Sequence, residues 1–178
     1  MIASFYQVYQ RADPSQDSTY CQIGYAMLLL AQSPSGATRP ISYLQTMLSP
    51  AILTEQICFL FDEEGKPVSY LIWAYLAPDV ERRILTSFSL ELHESEWNEG
   101  SSLWIVDLVA PYGHLKHVLR FVRDQLFLNE PRVRYLRTNQ RNRRVVEHSR
   151  TRLAGCLRSM PPLSPYCRCG RLDCEYYQ

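Results

Sequence analysis

Apolar positions along this chain gather into runs that alternate between helical and extended spacing, each closed by proline, glycine or clustered polar residues. Ile23 to Gln32 reads IGYAMLLLAQ, rich in helix formers with no β-branched stretch after Ile23, which predicts a mostly buried helix ended by Ser33-Pro34. A loop follows over Ser35 to Pro40, and Ile41 to Leu48 resumes a helical pattern up to Ser49-Pro50. Gln56 to Phe61 and Pro67 to Tyr75 are apolar, aromatic and β-branched, and the acidic glycine turn between them predicts a β-hairpin. Leu103 to Ala110 is an almost unbroken apolar run bounded by Ser101-Ser102 and Pro111, the pattern of a central strand covered on both faces. His114 to Leu128 places Leu115, Val118, Leu119, Val122 and Leu126 at helical spacing among Arg and Lys, which predicts an amphipathic helix on the sheet. Arg132 to Thr138 predicts one more strand, and no internal repeat is present.

Composition narrows the class without naming a function. A chain of 178 residues, 46% hydrophobic and 21% charged, is enough for one domain with a sizeable core. The expected organisation is an N-terminal arm over residues 1–19, a domain over 20–158 and a Pro/Cys-rich tail over 159–178. The N-terminus has no basic start followed by a long apolar run, and Ile23 to Ala31 is far shorter than a membrane-spanning helix, so a cytoplasmic protein with no membrane span is expected. The six cysteines are read as reduced, with Cys21 and Cys58 as packing residues.

One charge interrupts the central strand. A carboxylate inside a buried strand has a high desolvation cost unless it is paired or hydrogen-bonded, so Asp107 demands a reason. One reason is structural, an anchor for a turn or an arginine near the strand end. The other is chemical, a general base or orienting group, because strand ends in α/β proteins open onto ligand crevices.

The residues around Asp107 resemble those of a known family. Trp97-Asn98-Glu99-Gly100 leads into Trp104-Ile105-Val106-Asp107-Leu108-Val109-Ala110-Pro111-Tyr112-Gly113, as the bacterial toxin-activating lysine acyltransferases run from a tryptophan and glycine turn into a W-hydrophobic-hydrophobic-D-W-I-A-P-F strand. Pro67-Val68-Ser69-Tyr70-Leu71-Ile72-Trp73-Ala74 is similar to the family's PVAYCSWA strand. Ser33-Pro34, Pro40-Ile41-Ser42 and Leu48-Ser49-Pro50-Ala51-Ile52 match SP, PVS and LPAI in the same order, so the resemblance spans residues 21 to 138. It implies an α/β (α+β) fold, a single GNAT-like domain with a central mixed sheet flanked by helices and no glycine-rich coenzyme A loop. It implies transfer of a fatty acyl chain from acyl carrier protein to an internal lysine of a toxin-like protein, with no bound cofactor and a homodimer as the family's habit.

The family works with an aspartate and a histidine. The aspartate maps to Asp107, but the histidine position falls on Gly36, and glycine cannot shuttle a proton. Three readings stay open: Asp107 acts alone or through water; another histidine serves, with His114 best placed and His117 one turn on; or catalysis is lost and the fold binds a partner. An Asp107 that shares a cleft with His114 would favour chemistry, and one locked by an arginine would favour binding.

Arg132 to Arg158 holds nine arginines against one acid, Glu147. Such a segment is either a solvated face or a docking patch for acidic acyl carrier protein, with Arg137, Arg141, Arg143 and Arg144 as the expected contacts. Nucleic acid ranks lower, since Tyr135 is the only interleaved aromatic. The tail cysteines Cys167, Cys169 and Cys174 offer three thiols, with Cys156 or His148 as a fourth ligand for a metal. C-x-C-x(4)-C is not a standard zinc spacing, so a terminal strand or loop of reduced cysteines with no metal is the preferred reading of the two.

Overall fold

The computed structural model of the protein describes residues 7–8, 19–34, 36–139 and 142–149. Its centre is a six-stranded sheet in sequential order: β1 (Gln7–Val8), β2 (Ile57–Phe61), β3 (Pro67–Leu76), β4 (Ser102–Val109), β5 (Arg132–Asn139) and β6 (Asn142–Ser149). All neighbours pair antiparallel except β4 and β5, which are parallel because helix α4 (Leu115–Phe121) crosses between them. Helices α1 (Thr19–Ala31), α2 (Ser49–Leu53) and α3 (Pro78–Ser87) cover one face and α4 the other. This is the mixed α/β domain expected, with helices on both faces of a sheet.

The strands sort their side chains by alternation. Phe59, Phe61, Tyr70, Ile72, Ala74, Leu76 and Trp104 face α1, α2 and α3, while Leu71, Leu103, Ile105 and Leu108 face Val118 and Phe121 of α4 and Val122 in the π turn that follows it. Fully burying each such aliphatic or aromatic side chain contributes about 1.5–3 kcal/mol, which fixes the register of both layers. The tryptophans of the two strands are packing residues: Trp104 is fully buried, and Trp73 meets Phe127 edge-on at 5.4 Å. The hairpin turn also follows the sequence, with Gly65 at φ 77° and the Asp62 carboxylate accepting from the backbone N–H of Glu64 and Lys66.

One irregularity positions the site. Ile72 pairs with Asp107 but Trp73 pairs with Ile105, so Val106 is an extra residue in β4. Strict alternation from Ile105 would send Asp107 to the α4 face; the bulge sends Val106 and Asp107 to the same side, toward α1 and α2. The same point ends the ladder on the other flank of β4, whose pairing with β5 is confined to Trp104 with Arg134 and Ile105 with Tyr135. Past Ile105 the two strands part.

Several elements differ from the sequence expectation. The helix expected to be mostly buried is one-sided: α1 buries Ala26, Leu29 and Leu30 and exposes Met27 and Leu28, and Cys21 is exposed rather than a packing residue. Cys58 is buried, and burial pushes its thiol up to about 12. Pro50 does not end the second helix. A π turn over Leu44–Leu48 runs straight into α2, and its wider hydrogen-bond spacing accommodates the N–H that proline lacks. Helix α3 was not foreseen; Pro78 begins it, Asp79 and Glu81 favour its N-terminal dipole, and Val80 and Ile84 bury one face. The basic segment folds into a second strand, β6, antiparallel to β5. Within the residues expected as an arm, Gln7 and Val8 pair with Phe61 and Leu60. The cysteine tail lies outside the described residues.

Candidate active site

The site starts where α1 ends. The Ser33 N–H and hydroxyl both donate to the Leu30 carbonyl, and the Gly36 N–H donates back to Ser33, so the loop folds tightly against the last helical turn. A single 3-10 turn, Gly36–Thr38, then delivers Arg39 toward the sheet. The fit at Gly36 is close: a Cβ there would lie 1.7 Å from the Leu30 carbonyl oxygen. No side chain, histidine included, has room at this position in this backbone.

Arg39 meets Asp107 side by side. Nη1 donates to Oδ2 at 2.7 Å and Nη2 to Oδ1 at 3.0 Å, the two-pronged geometry that makes arginine–carboxylate pairs strong and directional. Tyr43, at the start of the next helical stretch, stacks under the guanidinium at 4.4 Å and donates its hydroxyl to Asp107 Oδ2. Tyr70 from β3 completes the group, its hydroxyl 3.1 Å from that of Tyr43 and 3.3 Å from Oδ2. The Asp107 side chain is 13% exposed and that of Arg39 25% exposed, so the pair sits under the surface with the arginine nearer solvent. Removing one partner of such a pair strands the other charge and costs about 3 kcal/mol or more where burial is deep.

The titration of the group follows from its charges. Burial disfavours the Arg39 charge, but the hydrogen bond and negative charge of Asp107 outweigh it and hold the guanidinium protonated above its usual range. Burial, and after it the charge of Asp107, push the Tyr43 and Tyr70 phenols well above the ordinary phenol value. Both tyrosines therefore remain donors. A carboxylate offers about four lone-pair positions, and Arg39, Tyr43 and Tyr70 take up nearly all of them.

His114 is placed differently. It precedes α4, where its carbonyl accepts from the N–H groups of His117 and Val118, and its ring lies 6.3 Å from that of His117. Burial, then the neighbouring Arg120 and His114, hold the His117 imidazole below its usual value. Asp107 faces the α1 and α2 layer while α4 packs on the opposite side, and the carboxylate's hydrogen bonds go to Arg39, Tyr43 and Tyr70. Asp107 and His114 are therefore not brought together as a pair.

Of the expected docking arginines, Arg137, Arg143 and Arg144 are exposed on the β5–β6 hairpin, and Arg141 lies outside the described residues. Their neighbour Arg134 is not available to a partner. It binds Glu81 and, at 2.7 Å, Glu147, and Glu81 also accepts from Ser102 and from the indole N–H of Trp104. Burial works against the Glu81 charge, but these donors outweigh it and hold its carboxyl below the usual range. Among the described residues no group of three metal-ligating side chains occurs, and no helix is long and apolar enough to cross a membrane.

A mixed α/β sheet whose bulged fourth strand presents a carboxylate to a loop arginine and two phenols defines the class of this domain. Comparison with known proteins gives the family. The RTX toxin acyltransferase family matches residues 16–150, and the chain belongs to that family. It is 29% identical to the lysine-acyltransferase RtxC of Vibrio cholerae over 106 residues, 60% of this chain and 69% of that protein. It is 31% identical to the RTX-II toxin-activating lysine-acyltransferase ApxIIC of Actinobacillus pleuropneumoniae over 103 residues, 58% of this chain and 63% of that protein. With the protein-lysine myristoyltransferase HlyC of Escherichia coli the identity is 30% over 110 residues, 60% of this chain and 62% of that protein.

Arg39, Tyr43 and Tyr70 were not singled out by sequence. A signal was there: Arg39 is the only Asp, Glu, Lys or Arg between Thr19 and Thr54, as Asp107 is the only charge in its strand. Two lone charges of opposite sign in apolar segments are candidates for each other.

Proposed function

We propose that this chain is a cytoplasmic protein-lysine acyltransferase that takes a fatty acyl chain from acyl carrier protein and joins it, as an amide, to an internal lysine of a toxin-like protein. The observation that carries this reading is the coincidence at Val106, where one bulge both aims Asp107 and opens β4 from β5. An extended thioester arm needs backbone edges to lie against and a charged centre at its reacting end, and the parting strands offer both at one level of the sheet. The parallel, splayed pair at the centre of the sheet also supports the GNAT-like arrangement.

In this reading Asp107 is the orienting group. Arg39 holds both of its oxygens and Tyr43 crowds Oδ2, which favours organising the site over accepting the substrate's proton. His114, just beyond the end of β4, is the group proposed to take the lysine ammonium's proton. The acidic carrier would dock on Arg137, Arg143 and Arg144, with steering by charge rather than by apolar burial.

A second reading, a relative that binds carrier or toxin without transferring, is favoured by the arginine lock on Asp107 and by the closed position at Gly36. Intact mass of a lysine-bearing toxin-like protein, incubated with this chain and a panel of fatty acyl carrier thioesters, separates the two. An added acyl mass that is lost with Asp107→Asn supports the transferase; binding of carrier without any transfer supports the second reading.

A further inference from the structure

If the histidine position is closed and most of the aspartate's lone pairs are taken, the group of the cluster with donors left is Arg39. A guanidinium has five N–H groups in one plane. The bonds to Asp107 use one from each terminal nitrogen, so the edge formed by Nε–H and the adjacent terminal N–H is not committed to that carboxylate. With 25% of its side chain exposed, Arg39 is also the member of the ion pair nearer to solvent.

The rest of the cluster acts as a mount for this group. Asp107 grips the far edge of the fork, the Tyr43 ring supports its face at 4.4 Å, and Tyr70 braces Tyr43 through a 3.1 Å hydrogen bond. Three contacts fix the plane of the guanidinium and the direction of its remaining donors, the preorganisation that makes a donor effective against a developing negative charge. A flexible surface arginine would spend much of that interaction on being ordered.

We propose that Arg39 is a catalytic residue of the transfer, and that its uncommitted edge holds the thioester carbonyl oxygen as it becomes an oxyanion. This rests on the transferase reading above. The neutral lysine amine, having lost one proton to a base, attacks the thioester carbon; the C–N bond forms and the carbonyl π pair moves onto oxygen, facing the Arg39 N–H groups. When that pair returns, the C–S bond breaks, its electrons leave on sulfur, and the second amine proton ends on the carrier's thiol. Thioester and amine become amide and thiol, with no redox change and no proton demanded of Asp107. Arg39 thus supplies charge stabilisation without needing to titrate, the role that arginine fills better than lysine because its fork reaches two acceptors at once.

The test uses the full chain, a myristoyl thioester of acyl carrier protein and a purified toxin-like acceptor, with thiol release and acceptor mass both followed. Arg39→Ala is compared with Arg39→Lys, which keeps the charge beside Asp107 but loses the second edge, and thermal melting checks that each variant is folded. The expected result is a fall in kcat of about 10²–10³, the scale of one lost oxyanion donor, in both variants, with KM for the carrier thioester little changed. Added methylguanidinium should restore part of the kcat of Arg39→Ala. An unchanged kcat, a loss confined to KM, or a faster Arg39→Ala enzyme overturns the assignment and leaves the transferase reading standing. A wild-type chain that transfers from no thioester overturns both.

Discussion

At the scale of single residues, Gly36 and Arg39 explain each other. The loop backbone approaches the end of α1 so closely that a Cβ at Gly36 would overlap the Leu30 carbonyl, and that same closeness sets the short turn that carries Arg39 to Asp107. Writing the family's histidine back should therefore fail. Gly36→His is expected to lower stability by about 1–3 kcal/mol, the usual cost of overpacking, and to leave transfer no faster than wild type; a melting curve with the intact-mass assay reads both. A folded, faster Gly36→His protein would mean that the loop opens readily. Asp107 was legible in the sequence because a lone acid in an apolar strand stands out, whereas its partner was not, because pairing across 68 residues depends on where a turn ends. Tyr43 and Tyr70 read as packing residues from sequence, since only the geometry turns their hydroxyls to one oxygen.

At the scale of elements, β4 carries the information that a hydrophobic pattern hides. Its run looks regular because residues buried on both faces are apolar whichever way they point, so an inserted Val106 leaves no break in the pattern. The hairpin, the central strand and α4 were readable for the opposite reason: strong turn chemistry or clear periodicity marked them. Helix α3 was missed because only Val80 and Ile84 are buried along it, and β6 because its strand is masked by arginines chosen for an exposed edge. The bulge can be tested directly. Deleting Val106 restores strict alternation with Asp107 directly after Ile105, which keeps the carboxylate on the α1 and α2 face but removes the extra residue at which the β4–β5 ladder ends. The expected outcome is a folded protein in which the Arg39 side-chain N–H signals keep their exchange protection while backbone amides past Ile105 gain it as β4 and β5 close up; amides that stay unprotected would show that the bulge does not open the pair.

At the scale of the whole molecule, the site and the positive charge lie on neighbouring strand pairs of one sheet. The splayed β4–β5 level holds the Asp107 cluster and the β5–β6 hairpin carries exposed arginines. Arg134 is consumed internally by Glu81 and Glu147, so the docking charge is smaller than the sequence count suggests. Reversing Arg137 and Arg144 to Glu should weaken binding of acyl carrier protein, flatten its dependence on salt and leave the melting temperature close to wild type, as read by titration at several ionic strengths. An unchanged salt slope would remove the hairpin from the docking surface.

Arg137 and Arg144 face each other across the β5–β6 pair, a like-charge arrangement that weakens a hairpin. Its consequence reaches beyond any partner. β6 is the last strand of the sheet in the described residues, and an open strand edge is a template on which further copies can stack. Charges flanking that edge make each copy a poor seed for the next. The hairpin gives up some of its own cohesion, and the protein gains resistance to aggregation.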